Sequence, residues 1–86
     1  MNFDIVPISD ILKKLKKKDK SLFAKLEKKI NQIINLNYYE LQHFKNLKYP
    51  SNEFKRVHVG SFVLTFKVTQ DKIIFVDFDH HDKIYK

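Results

Sequence analysis

The chain has 86 residues, of which 43% are hydrophobic and 31% are charged, and its formal net charge is +7 at pH 7. A chain of this length buries only about 60–65% of its unfolded surface, so we expect residues 1–86 to form one marginally stable domain. Eight Phe and four Tyr residues supply apolar surface for a core, which argues against intrinsic disorder. The chain has no cysteine, so disulfides cannot stabilise this small domain, and this favours a reducing compartment.

Charge and hydropathy limit the classes of partner. Arg56 and the lysines outnumber the acidic residues by 17 to 10, which suits a nucleic-acid backbone, an anionic lipid surface or an acidic protein. The N-terminus has no basic segment followed by a long apolar run, and no stretch approaches the ~20 apolar residues that span a bilayer. We therefore expect a cytoplasmic protein that is neither exported nor embedded in a membrane.

The N-terminal part of the chain predicts a short strand followed by a helical hairpin. Residues 2–6 form a short apolar run that stops at Pro7, which is typical of an edge or terminal strand. Ser9 is a candidate N-cap of a first helix, and Asp19 of a second helix that runs to about residue 35. Apolar residues recur at helical spacing on one face of each helix: Ile8, Ile11, Leu12 and Leu15, then Leu22, Phe23, Leu26, Ile30, Ile33 and Ile34.

From residue 53 onward the apolar period changes to two, which predicts β-strands. We expect strands at about residues 56–59, 62–69 and 73–78, with tight turns at Gly60-Ser61 and at residues 69–71. Residues 36–52 are weakly patterned and their structure is left open, apart from a turn at residues 49–52. The sequence predicts an α+β fold: a short N-terminal strand, a two-helix hairpin and an antiparallel three-stranded meander forming one sheet.

The meander predicts a cluster of basic and titratable side chains. Its first and third strands run in the same direction, so their ends lie at one edge of the sheet, near the start of the middle strand. His58 should therefore approach His80 and His81. Arg56 is two positions before His58 and shares its sheet face, which adds a fixed positive charge.

This cluster contains the groups that RNA cleavage through the 2′-hydroxyl requires. That reaction needs a base for the hydroxyl proton, cations for the phosphate and an acid for the leaving 5′-oxygen. Histidine and arginine at strand ends are also common as solvated surface groups, so the pattern leaves both interpretations open. Tyr85 could stack on an exposed base or close an edge of the core.

The lysines offer a surface for a nucleic-acid backbone. A lysine-rich helix face is most often simply solvated, but here few acidic residues intervene, which favours binding to RNA or ribosomal RNA. The candidate RNA-binding residues are Lys13, Lys14, Lys16, Lys17, Lys45, Lys48, Lys55 and His80. The three C-terminal histidines and neighbouring aspartates also raise the possibility of a metal site, but their spacing matches no zinc motif, so we assign no metal ligand and no cofactor.

Residues 54–66 (FKRVHVGSFVLTF) and 79–85 (DHHDKIY), together with the order of elements, resemble the RelE/ParE toxin superfamily. The layout is similar over nearly the whole chain, whereas the motifs are confined to about its last 35 residues. The resemblance implies a RelE-like toxin domain from a type II toxin–antitoxin system. RelE-type members are ribosome-dependent mRNA endoribonucleases held inactive by an acidic, RelB-like antitoxin, and ParE-type members target DNA gyrase.

The resemblance also implies site residues. The basic residues before the family's glycine correspond to Arg56 and His58, and the closing His-Arg and Tyr correspond to His80, His81 and Tyr85. Val63 stands where the family commonly has an arginine, and His81 stands at a second such position, so restoring both arginines should raise activity.

We therefore expect a toxin that cleaves mRNA by attack of the 2′-hydroxyl and leaves a 2′,3′-cyclic phosphate. Arg56 would bind the scissile phosphate, His58 or His81 would transfer protons, and Tyr85 would position the nucleotide. The alternatives are a non-catalytic ParE-like or decayed toxin that acts by binding a protein, and a small metal-dependent hydrolase.

Overall fold

The computed structural model describes residues 2–46 and 53–84, in which the predicted strands and helical hairpin occur in the predicted order, together with two short helices that the sequence did not predict. The helices are α1 (Ser9–Lys18), α2 (Lys20–Ile34), α3 (Tyr38–Leu41) and α4 (His81–Ile84). The strands are β1 (Asn2–Asp4), β2 (Lys55–Val59), β3 (Phe62–Val68) and β4 (Lys72–His80). Within these ranges the strands form one mixed sheet in the order β1-β4-β3-β2, which confirms the predicted α+β fold.

The first strand lies at an edge of the sheet, as predicted, and is shorter than predicted. It pairs in parallel with β4, so that Asn2 lies opposite Lys72 and Asp4 opposite Ile74. The strand stops at Asp4 because the Asp4 carboxylate accepts a hydrogen bond from the Val6 N–H at 3.0 Å, which turns the backbone. A single 3-10 turn, Val6–Ile8, then leads into α1.

The two long helices begin differently. Asp19 caps α2 as predicted, since its Oδ1 accepts from the Leu22 N–H at 3.0 Å. The predicted Ser9 cap is wrong, because the 3-10 turn continues directly into α1 and gives Ser9 helical angles (φ −61°, ψ −39°). Ser9 is therefore the first residue of the helix and makes no capping hydrogen bond to it.

The core lies between α2 and one face of the sheet. Leu26, Ile30 and Ile33 of α2 are buried in one cluster with aromatic and aliphatic residues of the meander. The fully buried members from β3 and β4 are Leu64, Phe66, Ile73 and Phe75. Burial of a side chain of this size contributes about 1.5–3 kcal/mol, so the apolar stripe of α2 holds the helical hairpin on the sheet.

Residues 36–46 belong to the segment whose structure the sequence left open. They contain a short helix and two residues that bond to the edge strand β2. Asn37 and Glu40 form a capping box at the start of α3, in which each side chain accepts from the other residue's N–H. Farther on, Asn46 bridges to Lys55, and the Arg56 N–H donates to Lys45 O at 3.0 Å. Residues 45 and 46 therefore protect the outer edge of β2. The turn predicted at residues 49–52 lies outside the described residues.

Candidate functional site

The predicted approach of His58 to His80 and His81 is confirmed for His81. The rings of His58 and His81 stack with their centroids 5.7 Å apart and their planes at 24°. Antiparallel pairing of β2 and β4 with β3 brings both residues to the Gly60-Ser61 turn, where the His81 N–H donates to Ser61 O at 2.9 Å. The fold thus holds two imidazoles in contact at one end of the sheet, and we call them the histidine pair.

His80 lies outside this pair, and its ring packs edge-to-face on Phe62 at 5.5 Å. The Asp82 carboxylate is 3.7 Å from Nδ1 of both His80 and His81. The Asp82 N–H also donates to His80 Nδ1 at 3.3 Å. The Asp82 carboxylate is therefore an acidic neighbour of both imidazoles.

Arg56 lies two positions before His58 on β2. In the sheet register Arg56 lies opposite Thr65 and His58 opposite Val63. Because Val57 and Val59 point toward the core and side chains alternate along a strand, Arg56 and His58 project from the opposite face of the sheet. Arg56 is half-buried, whereas His58 is exposed. The strand thus presents a guanidinium and an imidazole on the same side of the sheet.

Val63 is fully buried (0% exposed) at the centre of this face, between His58 on β2 and Asp79 on β4. The sheet therefore has a covered apolar position where the resemblance implied an arginine.

A cleft of about 300 Å³ lies between α2 and the β2–β3 turn. Its α2 wall consists of Lys25, Lys28, Lys29 and Gln32, and its sheet wall consists of His58, Val59 and Gly60. We call this space the lysine cleft. Sequence reasoning missed its lysines, although their spacing of three or four residues was the signal that they share one helix face. His58 belongs both to the lysine cleft and to the histidine pair.

The other predicted RNA-binding residues have different environments. The α1 lysines at positions 13, 14, 16 and 17 are exposed, and so is Lys45. Lys55 is 7% exposed, and its ammonium donates to Asn46 Oδ1 at 3.0 Å and to Phe44 O at 3.5 Å. These contacts make Lys55 part of the β2 edge rather than of the RNA-facing surface that we predicted. Lys48 and Tyr85 lie outside the described residues.

Two further findings concern alternatives raised by the sequence. In residues 2–46 and 53–84, no three His, Cys, Asp or Glu side chains come together as a possible metal site. No helix in these ranges has the length and apolar character needed to cross a membrane.

The chain is similar to two archaeal proteins. It is 48% identical over 87 residues to the "Putative toxin RelE4" of Methanocaldococcus jannaschii, a match that covers 96% of this chain and 88% of that protein. It is 39% identical over 75 residues to an "Uncharacterized protein" of Methanosarcina mazei, covering 84% of this chain and 83% of that protein. No protein-family profile matches the chain. No solved structure matches it either.

Proposed function

The chain belongs to the RelE family of toxins, and from this premise we propose that it is the toxin of a type II toxin–antitoxin pair that cleaves ribosome-bound mRNA. The observation that carries the proposal is the histidine pair, in which His58 and His81 stack at 5.7 Å beside a basic cleft. Two imidazoles at one place can supply both proton transfers of RNA cleavage, since imidazole is an effective acid and base near neutral pH.

The proposed reaction proceeds without a cofactor. One imidazole takes the proton of the 2′-hydroxyl as its oxygen attacks phosphorus. The bond to the 5′-oxygen then breaks, and the other imidazole protonates that oxygen, which gives a 2′,3′-cyclic phosphate and a free 5′-hydroxyl. Arg56 stabilises the extra negative charge of the phosphorane, a role for which a guanidinium on the same strand as His58 is suited. Tyr85 stays a candidate for stacking on the nucleotide.

The proposed macromolecular partners follow from charge and exposed apolar surface. The net charge of +7 and the exposed α1 lysines suit the ribosome and mRNA. They also suit an acidic, RelB-like antitoxin, which could cover the exposed side chains of Phe3, Val6, Tyr38 and Tyr39. Binding of a small acidic protein from the neighbouring reading frame, when the two are co-expressed, would support the pairing. Absence of binding would argue against it.

Primer extension on ribosome-bound message tests the chemistry. Arg56→Ala, His58→Ala and His81→Ala should each lower the cleavage rate by about 10²-fold or more, because each removes a proton-transfer group or a charge that stabilises the transition state. His43→Ala is the matched control, since His43 is exposed and its ring packs on Tyr39 instead of the histidine pair. Cleavage at the wild-type rate by the three site variants, as by His43→Ala, at matched protein levels would refute the assigned site.

A protein-binding toxin of the ParE type is the second candidate. It is favoured by one observation, the complete burial of Val63 at a position where the resemblance implies an arginine. This candidate predicts growth arrest without any RNA cleavage by the wild-type protein. Wild-type cleavage that depends on His81 would exclude it.

A further inference from the structure

The lysine cleft is lined by hydrogen-bond donors and positive charge. The residues that line this space are Lys25, Lys28, Lys29 and Gln32 of α2 and His58, Val59 and Gly60 of the sheet wall. Among the residues that the structure describes, none that lines this space is acidic. A lysine ammonium carries three donors and no acceptor, so the natural occupant of such a cleft is an anion with several oxygen atoms.

The helix geometry keeps the positive charges together. At 100° per residue, Lys25, Lys28, Lys29 and Gln32 fall within about one third of the helix circumference. Glu27, the only acidic residue of α2, falls roughly on the opposite side and cannot neutralise them. Like charges at this spacing repel each other, and a bound anion would remove that repulsion.

The sheet wall of the cleft leaves room for a ligand to approach the backbone. Gly60 has φ +62°, and an added Cβ at this position would meet no atom within 4 Å. A left-handed glycine at the first position of a two-residue turn is the pattern of type II′ hairpins. The turn therefore needs glycine for its backbone conformation, and the same residue presents an uncovered backbone to the cleft.

We infer that the lysine cleft binds a backbone phosphate of single-stranded RNA, adjacent to the phosphate that is cleaved. His58 carries the argument, because it lines the cleft and also stacks on His81. Because His58 is common to both, a strand whose scissile phosphate lies at the histidine pair passes beside the cleft, and we place its neighbouring phosphate there. The inference rests on the proposed function for the identity of the ligand, and it assigns to α2 a positioning role that the family resemblance did not imply.

A non-cleavable ligand tests the cleft separately from the chemistry. The probe is a fluorescent single-stranded oligonucleotide of about ten 2′-O-methyl nucleotides, which covers a typical single-strand site and has no hydroxyl to attack. Lys28→Gln/Lys29→Gln should weaken binding at least about fivefold near 50 mM salt. It should also reduce the salt dependence of binding by about 0.7 log units per log unit of salt concentration, which is the contribution of one single-strand phosphate contact.

The matched control is Lys20→Gln/Lys72→Gln, which removes the same charge from exposed positions outside the cleft. If the control loses as much affinity as the cleft variant, the effect is due to net charge alone, and the inference is overturned. Gly60 provides an independent readout, because it is the only glycine of the chain and its amide resonance is readily identified. That resonance should shift when the oligonucleotide is added to the wild type, and a resonance that stays in place would also overturn the inference.

The two proposals can fail separately. Normal cleavage by Lys28→Gln/Lys29→Gln, together with unchanged binding, would reject the phosphate site and leave the histidine pair in place. Cleft-dependent binding without any cleavage by the wild type would reject the endoribonuclease and retain a binding site for nucleic-acid phosphate. Inorganic phosphate as a second probe distinguishes a simple anion site, which it would saturate, from one that requires a polynucleotide.

Discussion

Replacing Val63 with arginine tests whether the site can accept the residue that the family resemblance implies there. Val63 is 0% exposed at the centre of β3, and its neighbours across the strands are His58 and Asp79. An arginine at this position must either enter a filled space or push its neighbours outward. We therefore expect Val63→Arg to destabilise the fold, whatever charge it adds to the site.

The magnitude follows from burial and packing. Overfilling a packed position costs about 1–3 kcal/mol, and the lost burial of valine adds about 1.5 kcal/mol. A cross-strand pair with Asp79 returns only about 0.2–1 kcal/mol. The net loss is about 1.5–4 kcal/mol, from a total that for 86 residues is on the order of 4–13 kcal/mol. At about 4–8 °C per kcal/mol, the unfolding temperature should fall by roughly 6–30 °C.

Thermal unfolding followed by circular dichroism measures this loss. Val6→Arg is the control, since Val6 is 72% exposed and the same change there should alter stability by less than about 0.5 kcal/mol. An unfolding temperature of Val63→Arg within a few degrees of the wild type would refute the reasoning from burial. His81→Arg, at a side chain that is 51% exposed, should be tolerated by the fold, but it should lower the cleavage rate because arginine cannot replace an imidazole in proton transfer.

Three further predictions concern capping, a buried cation and the α1 surface. Asp19→Ala should destabilise the protein by about 1 kcal/mol in urea unfolding, whereas Ser9→Ala should change it by less than about 0.5 kcal/mol, because only Asp19 caps a helix. Lys55→Met should cost about 1–3 kcal/mol by leaving Asn46 and Phe44 O without their donor, and it should leave RNA affinity unchanged; a selective loss of affinity would return Lys55 to the RNA surface. Changing all five α1 lysines to Gln should weaken ribosome or RNA association in a salt-dependent way, and unchanged affinity at low salt would identify this face as merely solvated.

Periodicity predicted most of the fold because each element has one apolar face. The period of two after residue 53 and the helical spacing from Leu22 to Ile34 both survive in the structure, since burial of those faces forms the core. The exceptions depend on contacts that no local pattern contains. Ser9 does not cap α1 because a 3-10 turn precedes it and continues into the helix. Lys55 is buried because residues 44–46 fold back over the β2 edge.

The histidine pair was predictable because antiparallel registers fix which strand ends meet. The lysine cleft was not, because it depends on how α2 lies against the β2–β3 turn, and the sequence does not specify the orientation of a helix on a sheet. The helix face with Lys25, Lys28 and Lys29 could be read from spacing alone, but its proximity to His58 could not. The role of Tyr85 stays a prediction.

The pairing of β1 with β4 has a consequence for how the protein is synthesised. Asn2 and Phe3 find their strand partners at Lys72 and Ile73, and His58 meets its ring partner only at residue 81. At a translation rate of about 5–20 residues per second, an interval of several seconds separates β1 from its neighbour in the sheet. Contacts so distant in sequence also close slowly, because the intervening chain must lose its conformational freedom first. A nascent chain that ends in β3 has no second imidazole at the turn, so the histidine pair cannot form before nearly all of the described sequence has been made.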